Sequence, residues 1–343
     1  MSPEKPRGKI SYGRCQWQGV ILLLCLLMES VFVSLCAAAE DSGFRFGRRD
    51  KPYAINFSND NRGWIVGDMG LATTTADGGN NWQRVSVSGE ESLKDIFFVG
   101  DAGWIVGNGG LILHSGNGGK KWDKQASGVN VVLLRVYFLD KEKGFTVGTD
   151  GTVLKTVNGG SSWEAVPLDW LKLLPGDLIE KGIMSINLYD VFFADGLSGW
   201  IVGDYGTVLH TTDGGKSWNL SQCGSFPALY SVFFKNKQEG WTVGQNGFFL
   251  KTTDGGRNWK NGAVKTEESL YRIFFRGAYG IIVGDHGIII KTNDGGGTWR
   301  NGALKQPPPL PWLSSAWILP DAQAAKVIVI GKGMMVKTEI LSR

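Results

Sequence analysis

GWIVGDYGTVLHTTDGGKSW, residues 199–218, decides how the rest of this chain is read. Nearly the same string recurs as GWIVGDMGLATTTADGGNNW at 63–82, GWIVGNGGLILHSGNGGKKW at 103–122 and GFTVGTDGTVLKTVNGGSSW at 144–163. Two more copies follow, GWTVGQNGFFLKTTDGGRNW at 240–259 and GIIVGDHGIIIKTNDGGGTW at 280–299. The opening glycines stand 40, 41, 55, 41 and 40 residues apart. A period near forty with strand-like content marks a propeller or another repeat array.

Each copy reads as one blade. An apolar, aromatic segment precedes it, as in LYDVFF at 188–193, and forms strand A. GWIVG is strand B and GTVLHTT is strand C, both rich in β-branched residues and bounded by glycine. Asp-Gly-Gly closes the hairpin: Asp caps the turn and Gly supplies the positive φ. Trp then leads into strand D and packs between sheets. Four antiparallel strands per forty residues make a propeller blade. Strand A copies begin near Tyr53, Leu93, Leu133, Leu188, Leu229 and Leu270. A seventh unit, built from 312–317, 326–331 and 333–338, lacks the DGGxxW string and strand D. Phe44 to Arg48 is the expected donor of that missing strand, which would close an all-β, seven-bladed ring.

Residues 1–39 differ in composition. Lys5, Arg7, Lys9 and Arg14 precede an apolar run, Val20 to Met28, and Ala37-Ala38-Ala39 follows. This layout predicts a signal peptide cleaved after Ala39, and so a periplasmic or secreted protein. Nine apolar residues are too few to span a bilayer. A lipoprotein would use Cys36, but Leu35 is large where such sites prefer a small residue. The formal charge of +4 is too small to argue for nucleic acid; residues 1–39 hold four basic and two acidic side chains, so 40–343 carries +2. Cys223 is the one cysteine after residue 39, which excludes an internal disulfide in the processed chain.

Four features break the repeat or recur with a charge. The insert at 164–187 is a D–A connection. It shares a face of the disc, the loop face, with the B–C turns that carry Asp68, Asn108, Asp150, Asp204, Gln245 and Asp285. Trp170, Leu171, Lys172, Leu173 and Leu174 within it are candidate partner contacts; the alternative is that the insert folds back and fills the tunnel mouth. A basic row in strand C reads Thr74, His114, Lys155, His210, Lys251, Lys291, Lys337. It is either a solvated set of lysine stems or, through Lys155, Lys251 and Lys291, a surface for an acidic partner. The third position of strand A is polar among apolar neighbours and reads Ala54, Asp95, Arg135, Asp190, Ser231, Arg272. Strand A is innermost, so Asp95, Arg135, Asp190 and Arg272 form a polar cluster at the tunnel, with Arg135 between the two aspartates. Finally, the hairpin row Asp77, Asn117, Asn158, Asp213, Asp254, Asp294 exchanges Asp for Asn, so a turn cap explains it better than a metal site.

The repeat GWIVGxxGxxLxTxDGGxxW resembles that of the photosystem II assembly and stability factors of cyanobacteria and chloroplasts, from about Phe44 to Thr338. LLPGD at 173–177 resembles a Leu-Pro-Gly inter-blade segment of the same proteins. The resemblance implies a lumenal or periplasmic propeller that binds partner proteins through a basic surface, without catalysis and without a cofactor. It implies a partner such as a subunit of a membrane complex, membrane association only through that partner, and a monomer. Homologues in bacteria without photosystems leave the photosynthetic role open. The C–D turn also resembles the Asp-box, or BNR repeat, of sialidases, with Thr-x-Asp-Gly-Gly-x-x-Trp in place of Ser-x-Asp-x-Gly-x-Thr-Trp. The alternative it implies is a glycan-binding or glycoside-hydrolysing propeller. The Arg-Ile-Pro that such enzymes carry near the first strand is absent, and no histidine stands at metal-ligand spacing from a carboxylate.

Overall fold

A computed structural model describes residues 45–222, 227–262, 264–303, 311–320 and 324–341. The signal-peptide reading of residues 1–39, and Cys223, fall outside them. Six antiparallel sheets of four strands and one of three follow in chain order, each a meander of neighbours. Blade 4 serves as the pattern: strand A Leu188–Phe193, B Gly199–Gly203, C Val208–Thr211 and D Asn219–Gln222. Blade 7 has A Leu313–Leu319, B Ala324–Gly331 and C Met334–Leu341. Strand A of blade 7 lies between the A strands of blades 6 and 1, which closes the seven-bladed propeller.

The repeat residues explain the blade. The first glycine of strand B faces the last Phe of strand A: a Cβ on Gly199 would enter the Phe193 ring. The same contact one blade on, Phe234 against Gly240, lets Trp200 lie flat on Phe234 at 3.5 Å, fully buried. The strand D tryptophan meets the same Phe edge-on, Phe193 with Trp218 at 5.8 Å. In the hairpin, Thr211 donates its hydroxyl to Asp213 at 2.7 Å and accepts from Gly215 N at 3.0 Å. Asp213 then accepts from Ser217 N at 3.0 Å. Asn117 and Asn158 play the same part, accepting from Lys121 N and Ser162 N at 3.0 Å. The side-chain oxygen, not the charge, is what the turn uses.

The closing strand expected at Phe44–Arg48 is not formed among the described residues: 45–48 carry no strand and the seventh sheet has three. The cause is local. Asp50 N donates to Gly47 O at 2.9 Å and Gly47 N donates to the Asp50 carboxylate at 2.6 Å, a tight turn that an extended strand cannot contain. The segment still packs on blade 7. Phe46 is buried in one cluster with Ile328 and Ile330, and Gly333 N donates to Asp50 O at 2.8 Å.

Candidate functional site

Strand A enters the tunnel from the loop face, so its second residue rims the mouth. The rim reads Tyr53, Lys94, Leu134, Tyr189, Tyr230, Tyr271 and Ser314, around a cavity of about 530 Å³. Tyr189 and Tyr230 meet edge-on at 5.1 Å, and Tyr230 meets Tyr271 at 5.6 Å. The B–C turns fix the outer two: Tyr189 donates to Asp204 at 2.9 Å and Tyr271 donates to Asp285 at 2.9 Å. Burial and then the neighbouring carboxylate push both phenols well up. Across the mouth the Lys94 ammonium sits 4.3 Å from the centre of the Tyr53 ring, and half-burial lowers its pKa.

One residue deeper lies the polar tier. Arg135 donates through Nη1 to Asp95 at 2.9 Å and through Nε to Asp190 at 2.6 Å. Arg272 adds a bond to Asp190 at 3.2 Å, and Ser231 Oγ another at 2.8 Å. Backbone N–H groups of Val136 and Val232 donate to Asp95 and Asp190, each at 3.0 Å. Burial raises both carboxyls, while Arg135 and these N–H groups oppose it. The cluster therefore ties blades 2 to 6 together at the axis. Below it, Phe97, Tyr137, Phe192, Phe233, Phe274 and Trp317 ring a smaller cavity of about 250 Å³. Desolvation pushes the Tyr137 phenol to about 12.

The insert does not fill the mouth. It forms two short helices, Trp170–Leu173 and Gly176–Glu180, on the flank of blades 3 and 4. Leu174 and Leu178 are buried with Phe145, Val153 and Ile186, so Leu174 is core rather than a surface contact. Trp170 and Leu173 are half-buried against the same cluster, and the Trp170 indole covers Gly151 in the blade 3 turn. Of the expected contact residues, Leu171, 58 % exposed, and Lys172 face solvent, as does Met184 of the same insert; Lys172 pairs with Asp169 at 2.7 Å. Trp170→Ala is expected to cost ~2 kcal/mol of stability, whereas Leu171→Asp should change it by less than ~0.5 kcal/mol. Urea unfolding of the two variants checks this; equal midpoints would mean that Trp170 does not anchor the insert.

The basic row stays on the blade flanks. Lys155 reaches Glu164 at 3.8 Å, and Lys251 reaches Glu239 at 2.8 Å with its ammonium 5.3 Å from the centre of the Trp241 ring. Lys291 is half-buried opposite Ile281. His114 and His210 stack on Trp104 and Trp200, with centroids 5.2 and 4.9 Å apart, and desolvation lowers both pKa values. These side chains lie opposite the second residue of strand B, one per blade, rather than converge on one patch. The tyrosine rim is the feature that sequence reading missed. Its signal was present: the Leu-Tyr pairs at 188–189, 229–230 and 270–271 put an aromatic where a solvent-facing residue was expected.

The sequence matches the family described as "Photosynthesis system II assembly factor YCF48" over residues 43–127, 124–222 and 224–317. Among solved structures, one titled "YCF48 bound to D1 peptide" superposes with a TM-score of 0.68 at 15% identity, covering 88% of this chain and 96% of that one. YCF48 from Cyanidioschyzon merolae gives 0.67 at 21% identity, covering 84% and 95%. An ancestral GH74 enzyme gives 0.66 at 15% identity, covering 85% of this chain and 45% of that one. These likenesses establish the fold. No curated protein sequence matches the chain.

Proposed function

The chain belongs to the family of photosynthesis system II assembly factors of the YCF48 type, and from that membership we propose that it is an exported, protein-binding propeller that assists the assembly or stability of a membrane or envelope complex. The observation that carries this reading is the family match, which runs through three consecutive stretches from residue 43 to 317. A neighbour of the same fold is titled as bound to a D1 peptide, which supports a protein segment as the kind of ligand. On this chain the loop face is the proposed contact surface. It carries the tyrosine rim, with Lys94 beside Tyr53 on it, and, on the flank, the exposed Leu171 and Lys172.

A glycosidase reading draws no support from the tunnel. Such enzymes need a carboxyl pair free to donate and accept protons. Asp95 and Asp190 are instead both committed to Arg135 and to backbone N–H groups. The reading is tested in a deletion strain by pulse-labelling membranes and resolving native complexes. The expected result is one complex stalled as a subassembly with its free subunits accumulating. Unchanged complexes, together with hydrolysis of a glycan by the purified protein, would overturn it.

Export is part of the proposal. It rests on the basic residues, short apolar core and Ala37-Ala38-Ala39 of the first 39 residues. Mass spectrometry of the protein from its native host should find the N-terminus at Glu40. Recovery of the intact chain from the cytoplasm would contradict export.

A further inference from the structure

The clefts between successive blades share one architecture, and the cleft between blades 2 and 3 shows how it is filled. There His114 lies over Trp104, and Gln125, three residues after Trp122, reaches across the gap. Gln125 Nε2 donates to Gly159 O at 3.1 Å, and its Oε1 accepts from Trp163 Nε1 at 3.1 Å. Trp104 Nε1 donates to the same Gly159 O at 3.0 Å. Both indole donors are thus satisfied by the chain itself.

The cleft between blades 1 and 2 has the same frame without the filling. Thr74 stands in place of the histidine and turns away, donating its hydroxyl to Gly63 O at 3.1 Å. Val85 stands in place of the glutamine, three residues after Trp82. A cavity of about 690 Å³ results. Trp64 and Trp122, the equivalents of Trp104 and Trp163, both line it, and neither indole N–H has a hydrogen-bond partner. Unpartnered indoles recur among the described residues at Trp218, Trp241, Trp259, Trp299 and Trp317; here two of them line one cavity. Its lining also holds three cations, Arg62, Lys120 and Lys121, and no carboxylate, although Asp123 pairs with Lys121 just outside.

We propose that the cleft between blades 1 and 2 binds a glutamate side chain on an extended acidic segment of a partner protein. The carboxylate takes the place that the Gln125 amide oxygen takes one blade on. It accepts from the Trp122 indole, the equivalent of Trp163, and the cationic rim favours Glu over Gln. The volume exceeds a lone carboxylate, and Val85 and Val87 offer an apolar wall for flanking residues. Strand D of blade 1 is only Gln83–Arg84, which leaves the outer edge beside the cleft uncovered for an extended chain.

This inference rests on the protein-binding reading of the propeller, but its test is separate. Full-length protein is titrated into two fluorescein-labelled pools of acetylated, amidated pentapeptides with randomised flanks and either Glu or Lys at the centre. Fluorescence polarisation should show the Glu pool binding at least ~10-fold tighter than the Lys pool. Val85→Gln supplies the missing amide from within and should weaken the Glu pool at least ~10-fold with no loss of thermal stability. Thr74→His, which restores the stacked histidine, should act in the same direction and stands in if Val85→Gln folds poorly. Equal binding of the two pools, no binding of either, or wild-type binding by both variants would overturn the proposal. An assembly defect in the deletion strain would stand regardless of that outcome, so the two readings fail separately.

Discussion

Arg135→Ala is expected to lower the unfolding free energy by ~3–5 kcal/mol near neutral pH, because it strands two buried carboxylates. Arg135 is the shared partner of Asp95 and Asp190, whose side chains are 5% and 3% exposed. Arg272 offers Asp190 one longer bond and offers Asp95 none that replaces Nη1. The loss should depend on pH in a defined direction. Burial raises both carboxyl pKa values, and the guanidinium is the main force against that rise. In the variant only the rise remains. A folded carboxyl pKa above its unfolded value gives stability that is full below the unfolded value and lost as pH climbs through the folded one. The deficit of Arg135→Ala should therefore shrink on acidification to about pH 5 and grow toward neutrality. Asp190→Asn in the same background should recover part of it. Urea unfolding across that range is the measurement; a deficit that is constant with pH would mean that the carboxylates are not what the arginine serves.

Trp200→Ala should cost a comparable ~3–5 kcal/mol for a different reason. The indole is fully buried, lies flat on Phe234 at 3.5 Å, carries His210 on its other side and donates to Gly255 O at 3.0 Å. Truncation opens a slot between blades 4 and 5 and orphans that carbonyl. Trp200→Phe keeps most of the stack and should lose roughly half as much. His210 should report the change directly: with its ring wetted, its pKa returns toward the ordinary value, and this is visible by NMR titration. If Trp200→Ala and Trp200→Phe unfold at the same urea concentration, the stack between blades contributes little.

Much of the fold was legible because six of the seven blades write the same residues. The opening glycine of GWIVG is explained by one Phe ring, the DGG turn by one side-chain oxygen, and both recur six times. The Arg135 bridge was legible too, since a charged residue at the third position of an apolar strand has nowhere to point but the tunnel. The missing strand D of blade 7 was legible, but its donor was not: the turn at Gly47–Asp50 depends on a local hydrogen-bond pair that composition does not announce. The insert was legible as an interruption and not as a surface. Leu171, Leu173 and Leu174 read as exposed because the chain around them is irregular, yet Leu174 is buried and Leu173 half-buried in the core cluster of blades 3 and 4. The blade 1–2 cleft was out of reach for another reason. It consists of two departures from the repeat, Thr74 and Val85, eleven residues apart, whose meaning lies in what faces them from the next blade.

The closure of the ring also fixes an order in time. Gly333 N bonds to Asp50 O, Ser314 Oγ donates to Pro52 O at 2.7 Å, and Arg276 pairs with Asp60 at 2.7 Å. Each contact joins the beginning of the propeller to its end, so none can form before the sixth and seventh blades exist. During synthesis the first blades must wait as an open stack, with the flank of blade 1 unpartnered and its apolar residues, Ile55 and Phe57 among them, uncovered. Contacts this distant in sequence are slow to find, and the waiting intermediate is the species that aggregates or is cut. The yield of folded protein is therefore set less by the depth of the finished core than by how quickly the last blade arrives.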